Sequence, residues 1–496
     1  MKLSLCFLLL PMIALAQHKY DNIWLFGPWK GYGTILDFSS DNKIIDNVDF
    51  AFDMNTGSSM IANEFGELQY YSNGCHIADG SHEIVQGANW LNPGWYYDNY
   101  CFDGFGYPYS DQCMIFIPFA ENQYSLFYQN KNRIYTSPSQ YLILVDSIYR
   151  TDIINNSVTF VNKAILSDTF AFASMAAVKH ANNEDYWIVN PHDSSNVYFS
   201  IHARQDDLGA VVKQFIPNLF QRQHNGSLAK FSPNGETYVG FETVYQEQSL
   251  KIFSFNRADG KLNLEYTLPN PDTVNTFIGG IEFSPSGQFL YVSTRKVIYQ
   301  YDLEAADVEG SKTVVAVWDG FTDLFPCTFH VMQRGPDCRI YINSPSSQKY
   351  LHVIMHPDVK GPDCEVRQHE IPLYYYHQIS MPYFPNYRLG TGEPVCDSTL
   401  SLPTSIPVVT LPMEGIKIWP NPASGDCRVM LAPGVLRSAV SLDVVDMWGR
   451  SVLTRDLSNN YNEVIPIDLS RIVPGIYFIR IIGRHGERWV ERLVVE

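Results

Sequence analysis

"LAKFSPNGETYVGFE", residues 228 to 242, and "GIEFSPSGQFLYVST", residues 280 to 294, are near-copies of each other. Each alternates apolar and polar residues, turns on Ser-Pro-x-Gly, and alternates again. Period-two alternation places one face of a strand against a core, and Pro and Gly supply the torsions of a tight turn, so each copy predicts a β-hairpin. Both continue into a further strand, "SLKIFSFNRADGKL" and "KVIYQYDLE". The copies start about fifty residues apart, the spacing of propeller blades built from four short strands.

Weaker echoes extend the array. "SSMIANEFGELQYYSNGCHIADG" turns at Gly66, "QCMIFIPFAENQYSLFYQN" at Glu121 and Asn122, "MAAVKHANNEDYWIVNPHDSSNVYFSIHA" at Asn182 and Asn183, and "TFHVMQRGPDCRIYINSPSSQKYLHVIMHP" around Gly335. With the clear pair these make six blades. A seventh is expected from "ISMPYFPNYRL" near residue 380 together with "NIWLFGPWKGYGTILDFSS", which closes the ring by joining the two ends of the domain. Closure removes the free sheet edges that an open all-β array must protect. The fold class expected is all-β: a seven-bladed β-propeller followed by a small immunoglobulin-like β-sandwich.

Composition agrees. A chain of 496 residues exceeds the size of one core, and 31 Tyr with 29 Phe favour strands. A formal net charge of -17, with no stretch that interleaves Lys and Arg with aromatics, argues against nucleic acid as a partner. The opening "MKLSLCFLLLPMIALAQ" has Lys2, an apolar run from Leu3 to Leu15 and small residues at Ala14 and Ala16, which predicts a signal peptide over 1–16. That run is short for a bilayer, and no later segment reaches the roughly 18 uninterrupted apolar residues of a spanning helix. Eight cysteines follow. In an oxidising compartment the expected local pairs are Cys327 with Cys338, Cys364 with Cys396, and one among Cys75, Cys101 and Cys113, leaving Cys427 alone.

Propeller residues are expected over 17–392. From "GTGEPVCDSTLSLPTSIPVVTLPMEG" the composition turns to Pro, Ser, Thr and Gly, which predicts a linker over 393–415. Beyond it, "IKIWPNP", "CRVMLAP", "VSLDVVDMWGRSVLTRDL", "NEVIPIDL", "GIYFIRIIG" and "ERWVERLVV" alternate as short strands of a small sandwich over 416–496.

These pieces carry two resemblances. The order "ELQYYSNGCHIAD", "MAAVKHANNEDYWIV", "AKFSPNGETYVG", "IEFSPSGQFLYVS", "VIYQYDL" and "FPNYRLG" resembles the propeller-like region of secreted bacterial proteins that often carry sorting modules, a family that implies a fold and an extracellular setting. The tail resembles the type A sorting domain of the type IX secretion pathway. Its first strand carries Pro420, Asn421 and Pro422, its middle Asp446, Gly449 and Arg450, its late strand Leu469, Pro474, Gly475 and Tyr477, and the chain stops on "RLVVE". That resemblance implies the type IX machinery as partner through 416–496, passage through the periplasm, and a mature protein at the outer-membrane surface or in the medium. The tail is often removed after export; a lone Cys427 suits a module that must part from its cargo.

Candidate sites are fewer. Residues 89 to 110, "NWLNPGWYYDNYCFDGFGYPYS", hold nine aromatics in 22 residues. Trp90, Trp95, Tyr96, Tyr97 and Tyr100 are the candidate ligand-binding residues, offering rings and hydroxyls to an extracellular glycan or protein; the competing reading packs these rings inward. Asp98, Asp103 and Asp111 lack the EF-hand order, and His352 with His356 lack a third ligand, so neither metal nor other cofactor is implied. Glu64, Glu67, Asp185 and Glu242 sit near blade hairpins as possible acid pairs. In "FSPNG" and "FSPSG", Asn234 and Ser286 replace the Asp of a sialidase-type Asp box, and no Gly-x-Ser-x-Gly elbow or His-Glu-x-x-His helix is present, so no catalytic residue is assigned. The favoured function is a binding or interaction module. The alternatives are a carbohydrate-active enzyme, a glycoside hydrolase or polysaccharide lyase, and a structural component of a surface or gliding assembly.

Overall fold

The structure is a computed structural model. It describes residues 18–496 apart from 28–32, 40–41, 55–56, 102–105, 109–111, 138–139, 218, 220–227, 242–248, 272–278, 378, 406–414, 448, 459–463 and 485–486. The chain divides into two compact units, Met1–Ile406 and Pro407–Glu496.

The first unit is a seven-bladed β-propeller. Blade 1 pairs Ile23–Phe26, Gly33–Asp37 and Lys43–Val48 with Thr404–Ser405. Blade 2 has Ser59–Ala62, Leu68–Ser72 and Ile77–Asp79; blade 3 has Met114–Ala120, Gln123–Ser137, Gln140–Ile154 and Ser157–Phe170. Blades 4 to 6 are four-stranded meanders from Ala176 to Phe215, Leu228 to Pro269 and Gly279 to Val317, and blade 7 runs from Met332 to His377. First strands of successive blades lie side by side in blades 1, 2 and 3 and again in blades 4, 5, 6 and 7. Blade 4 joins blade 3 where Met175 N–H donates to Gln112 O at 3.2 Å. The ring closes where Trp24 of blade 1 meets Tyr341 of blade 7, ring centroids 5.2 Å apart.

The repeated turn explains the repeated sequence. Ser232 Oγ accepts the N–H of Thr237 at 2.9 Å, and Ser284 Oγ accepts that of Phe289 at 3.2 Å. Gly235 and Gly287 hold φ of 72° and 82°, a region open to glycine without steric cost. Blade 2 uses Gly66 in the same way, while blades 3, 4 and 7 place Asn122, Asn183 and Cys338 at positive φ. In blade 7 the left-handed residue is thus Cys338, while Gly335 closes the turn by donating its N–H to Arg339 O.

The surplus of aromatics is core. Tyr70, Tyr71, Tyr128, Tyr186, Tyr198, Tyr238, Tyr291 and Tyr341 are fully buried. Burial favours a partner for a tyrosine hydroxyl, and Tyr291 donates to Pro357 O and Tyr341 to Asp337 Oδ2.

"ISMPYFPNYRL" is not a blade strand, contrary to expectation. The described part, Ile379–Leu389, has no strand and lies along the propeller axis. Tyr383 Oη accepts the N–H of Ala177 in blade 4, Tyr387 Oη donates to Phe116 O in blade 3, and Phe384 N–H donates to Gln333 Oε1 in blade 7. Lys230 of blade 5 places its ammonium 4.9 Å from the Tyr383 ring centre, and Asn386 donates to Pro233 O. One segment reaches the first strands of four blades only from the centre of the ring. Met381, Tyr383, Phe384 and Tyr387 are buried there, above a buried Lys230–Glu282 ion pair of 2.8 Å. At the axis too, Gln112 bridges blade 3 to blade 5, exchanging two hydrogen bonds with the Ala229 backbone. Arg388 anchors the segment by two bonds to Asp21, 2.7 and 2.8 Å.

The expected linker 393–415 is shorter than its composition suggests. Cys396 is bonded to Cys338, Asp397 N–H donates to Pro336 O, Arg339 reaches Leu400 O, and Thr404–Ser405 adds a parallel strand to Lys43 and Ile44. Residues up to Ser405 therefore belong to the ring. Polar composition misled because these side chains face solvent while the backbone supplies the binding.

Of the expected local disulfides, the one among Cys75, Cys101 and Cys113 forms, and the other two do not. Cys75–Cys101 and Cys338–Cys396 form. Cys327 and Cys364 pair with neither Cys338 nor Cys396; with Cys113 and Cys427 they are buried outside any disulfide. Spatial proximity of the axial segment's end to blade 7 won over sequence proximity.

The second unit packs two sheets. Ile416–Trp419, Asp426–Leu431 and Val464–Asp468 form one; Ser451–Asp456, Ala439–Val445, Gly475–Gly483 and Arg488–Val495 form the other. Val429, Leu442, Val444, Ile479, Ile481 and Leu493 fill the space between, as expected of an immunoglobulin-like sandwich.

Removing one member of a buried ion pair strands the other charge, at a cost of about 3–5 kcal/mol. Arg388→Met is therefore expected to lower the unfolding free energy of the propeller, read from urea titrations, by that order. Asp21→Asn in the Arg388→Met background is expected to cost much less than in the native chain; additive effects in this cycle would show that the pair does not hold the axis.

Candidate functional site

The aromatic segment 89–110 starts where blade 2 lacks a regular fourth strand. Val85 N–H donates to Ile77 O, Ile77 N–H to Ala88 O, and Leu91 N–H to Cys75 O, so the chain runs back along the third strand. A one-and-a-half-turn helix, Trp95–Tyr100, follows. A helix so short has little stability of its own. It is fastened by the Cys75–Cys101 bond, by Tyr97 Oη donating to Asn89 O at 2.8 Å, and by Asn162 of blade 3, which donates to Trp90 O and accepts from Asn92 N–H.

The five predicted residues divide by exposure. Tyr96 is buried, tilted on Tyr107 at 6.0 Å, so for this ring the inward-packing reading holds. Trp95 is half-buried, with the Arg133 guanidinium 3.2 Å from its ring centre. Tyr97 is half-buried and meets the His76 ring edge-on. Trp90 and Tyr100 are exposed by 52% and 40%. Trp90 stands at 90° to Tyr97 and Trp95 at 64° to Tyr100, while Tyr100 lies at 28° to the buried Tyr96.

Sequence reading missed the cations. Arg133 and Lys131 lie on the second strand of blade 3, about forty residues from Trp95 and Phe172, the rings they cover, so no local pattern joins them. The Lys131 ammonium sits 3.7 Å from the Phe172 ring centre and donates to Pro108 O. Burial pushes its pKa down to about 8.

The remaining candidates do not converge. Asp98 is exposed, while Asp103, Asp111 and Glu242 lie outside the described residues. Glu64 and Glu67 share a turn of blade 2, and Asp185 binds His202 at 3.0 Å in blade 4. His352 is buried within its strand whereas His356 lies beyond the strand's end, 3.4 Å from Glu365, so the two do not share a face.

Two other clusters are structural by their bonding. His180, Asp185 and His202 bring ligand atoms within 4.8 Å of one another. Yet His180 Nδ1 accepts Asn182 N–H, its Nε2 faces Ala258 O, and its ring stacks on His202 at 4.6 Å. A metal would have to displace those bonds. Cys327 Sγ lies 3.6 Å from His352 Nε2, but burial raises the thiol to about 11 and lowers the imidazole to about 3. His352 Nδ1 accepts His369 N–H, so Nε2 carries the proton and the pair stays neutral.

In the second unit the motif residues fasten its ends together. Asn421 donates to Arg492 O at 2.6 Å and accepts Val494 N–H at 2.9 Å, tying the segment of Pro420 and Pro422 to the final strand. Asp446 accepts both the N–H and Nε–H of Arg450 across a turn in which Gly449 holds φ of 80°. Tyr477 follows Gly475 at the start of its strand and donates to Val473 O.

A propeller joined to such a sandwich is the architecture of an exported cargo carrying its own address. Residues 417–496 match the family model of the secretion system C-terminal sorting domain. The tail marks the chain for type IX export, through the periplasm to the cell surface or the medium. No helix among the described residues is long and apolar enough to cross a membrane. No curated protein matches the chain in sequence. Solved structures similar to it include a putative 6-phosphogluconolactonase from Bacteroides uniformis, 12% identical, covering 72% of this chain and 98% of that one with a TM-score of 0.45. A quinoprotein alcohol dehydrogenase-like protein from Bacteroides thetaiotaomicron is 11% identical over 73% of this chain and 75% of that one, TM-score 0.35. The periplasmic gluconolactonase of Pseudomonas aeruginosa is 13% identical over 74% and 96%, TM-score 0.32. Likeness at these values carries no inference about activity.

Lys131 gives the aromatic site a pH signature. Its folded pKa of about 8 lies below the ordinary 10.5, so between those values the unfolded chain holds more protons and stability rises with pH. Above pH 10 the buried tyrosines, Tyr128 among them, act oppositely. Urea titrations between pH 7 and about 9.5 are expected to show a rise in stability that Lys131→Met reduces. Identical slopes in both proteins would mean that the ammonium is not buried against Phe172.

Proposed function

We propose that the exported propeller is a binding protein of the cell surface or surrounding medium, and that it engages a protein partner through the fastened aromatic segment around Trp95–Tyr100. The observation that carries this is the exposure of Trp90 and Tyr100 on a segment whose other rings are locked by a disulfide, by Arg133 and by Asn162. Large rings held in place before binding lose little entropy on contact, and Trp, Tyr and Arg are the residues that dominate protein interfaces. The edge-on setting of Trp90 to Tyr97 and of Trp95 to Tyr100 favours a protein partner over the flat face of a sugar. The filled axis points the same way, since Ile379–Leu389 takes the place where propeller ligands often lie.

The domain plan belongs to this proposal. Residues 1–16, outside the described residues, act as the signal peptide; the body runs from 17 to 405; and the tail is cut between Ser405 and Ile416. Such a cut leaves the ring whole, because Cys396, Asp397, Leu400 and Thr404 stay bound to it.

Two measurements test the proposal. Deleting 416–496 is expected to leave the propeller folded and held in the periplasm, and its normal appearance outside the cell would sink the export reading. For the site, Trp90→Ala with Tyr100→Ala is expected to weaken binding to intact cell surfaces by at least about tenfold, with melting temperature unchanged and a glycan array silent. Saturable glycan binding that survives the double substitution would reject a protein-binding aromatic site.

A further inference from the structure

A separate cavity of about 340 Å³ opens between blades 6 and 7, lined by Arg295, Lys296, Trp318, Pro326 and Thr328. Its walls are built by backbone bonds. Arg295 and Lys296 form the turn between the second and third strands of blade 6. Trp318 follows the fourth strand and donates its N–H to Lys296 O at 2.8 Å, and Phe329 donates to Arg295 O at 3.1 Å, drawing the segment of Pro326 and Thr328 alongside. Ser344 Oγ donates to Thr328 O and holds that segment from behind.

The chemistry of the lining is one-sided. Thr328 is 1% exposed, and its Oγ1 has no hydrogen-bond partner; Trp318 Nε1 is likewise buried without one. Buried donors are nearly always satisfied, so two on one cavity point to a group that arrives from outside. Arg295 and Lys296 are exposed at the mouth, the Lys296 ammonium 5.5 Å from the Trp318 ring centre. The carboxylate nearest in sequence, Asp319, is engaged by His369 Nε2 at 3.0 Å and by Phe321 N–H, so it does not cancel this charge from within the cavity. Indole and Pro326 supply an apolar wall.

We infer that this cavity is a binding site for a small organic carboxylate with a planar apolar body: the carboxylate accepts from Trp318 Nε1 and Thr328 Oγ1 under the field of Arg295 and Lys296, and the body lies against Trp318 and Pro326. Its volume falls in the range of small-ligand sites, which pair an apolar lining with a few placed polar groups. The cations also give a chain of net charge -17 a local point of entry for an anion. This site is independent of the aromatic segment on blade 2.

The test uses the chain lacking residues 1–16, labelled with ¹⁵N in its indoles, with the Trp318 indole N–H resonance assigned by Trp318→Phe. Phenylacetate is the probe. The resonance is expected to shift and saturate below about 10 mM. Benzyl alcohol, which keeps the ring without the charge, and sulfate, which keeps charge without the ring, are expected to leave it in place. Thr328→Val preserves shape and is expected to weaken the probe by about tenfold, as is the pair Arg295→Gln and Lys296→Gln, both with unchanged melting temperature. A titration that fails to saturate, an equal response to benzyl alcohol or sulfate, or full affinity in Thr328→Val would overturn the assignment.

Discussion

Tyr387, whose hydroxyl donates to Phe116 O at 2.8 Å from the centre of the ring, marks the constraint on which the propeller depends. Seven sheets arranged radially leave a hole walled by the first strand of each blade. Backbone and polar side chains on that wall need partners. Here the chain supplies them itself, sending Ile379–Leu389 down the axis after the last blade. Ala177, Phe116, Gln333 and Pro233 are bonded by this one segment, which fixes the relative positions of blades 3, 4, 5 and 7.

The axial segment determines where the rest of the chain can go. Emerging beside blade 7, it meets Cys338 through Cys396 and then reaches blade 1 as Thr404–Ser405. Ring closure therefore has two independent parts: packing of Trp24 on Tyr341, and a C-terminal stretch bound across both blades. The chain that continues to the sorting domain leaves from an edge strand, not from the core.

Filling the axis moves ligand chemistry outward. Both surfaces argued for binding are built by residues other than the axial segment, and each is shaped by residues far apart in sequence. On blade 2 the helix Trp95–Tyr100 is held by Cys75 and capped by Arg133 of the next blade. Between blades 6 and 7, a turn, a strand end and an inter-blade segment leave a cavity whose donors lack partners. Loop-built sites on a rigid scaffold are the usual division of labour in such folds.

The sequence by itself determined most of the elements: alternation and Ser-Pro-x-Gly turns depend on neighbours within a few residues, so the hairpins, the blade count and the sorting tail were legible. Trp90, Trp95, Tyr96, Tyr97 and Tyr100 could be singled out by density, but which of them faces outward could not. Only the tertiary structure decided that Tyr96 is core, that Arg133 covers Trp95, that Cys338 bonds Cys396 rather than Cys327, and that "MPYFPNYRL" is an axial filler rather than a strand. The reason is physical. A strand is specified by local torsions and a repeating face, whereas burial, disulfide partner and channel occupancy depend on which distant segments the closed ring brings within reach.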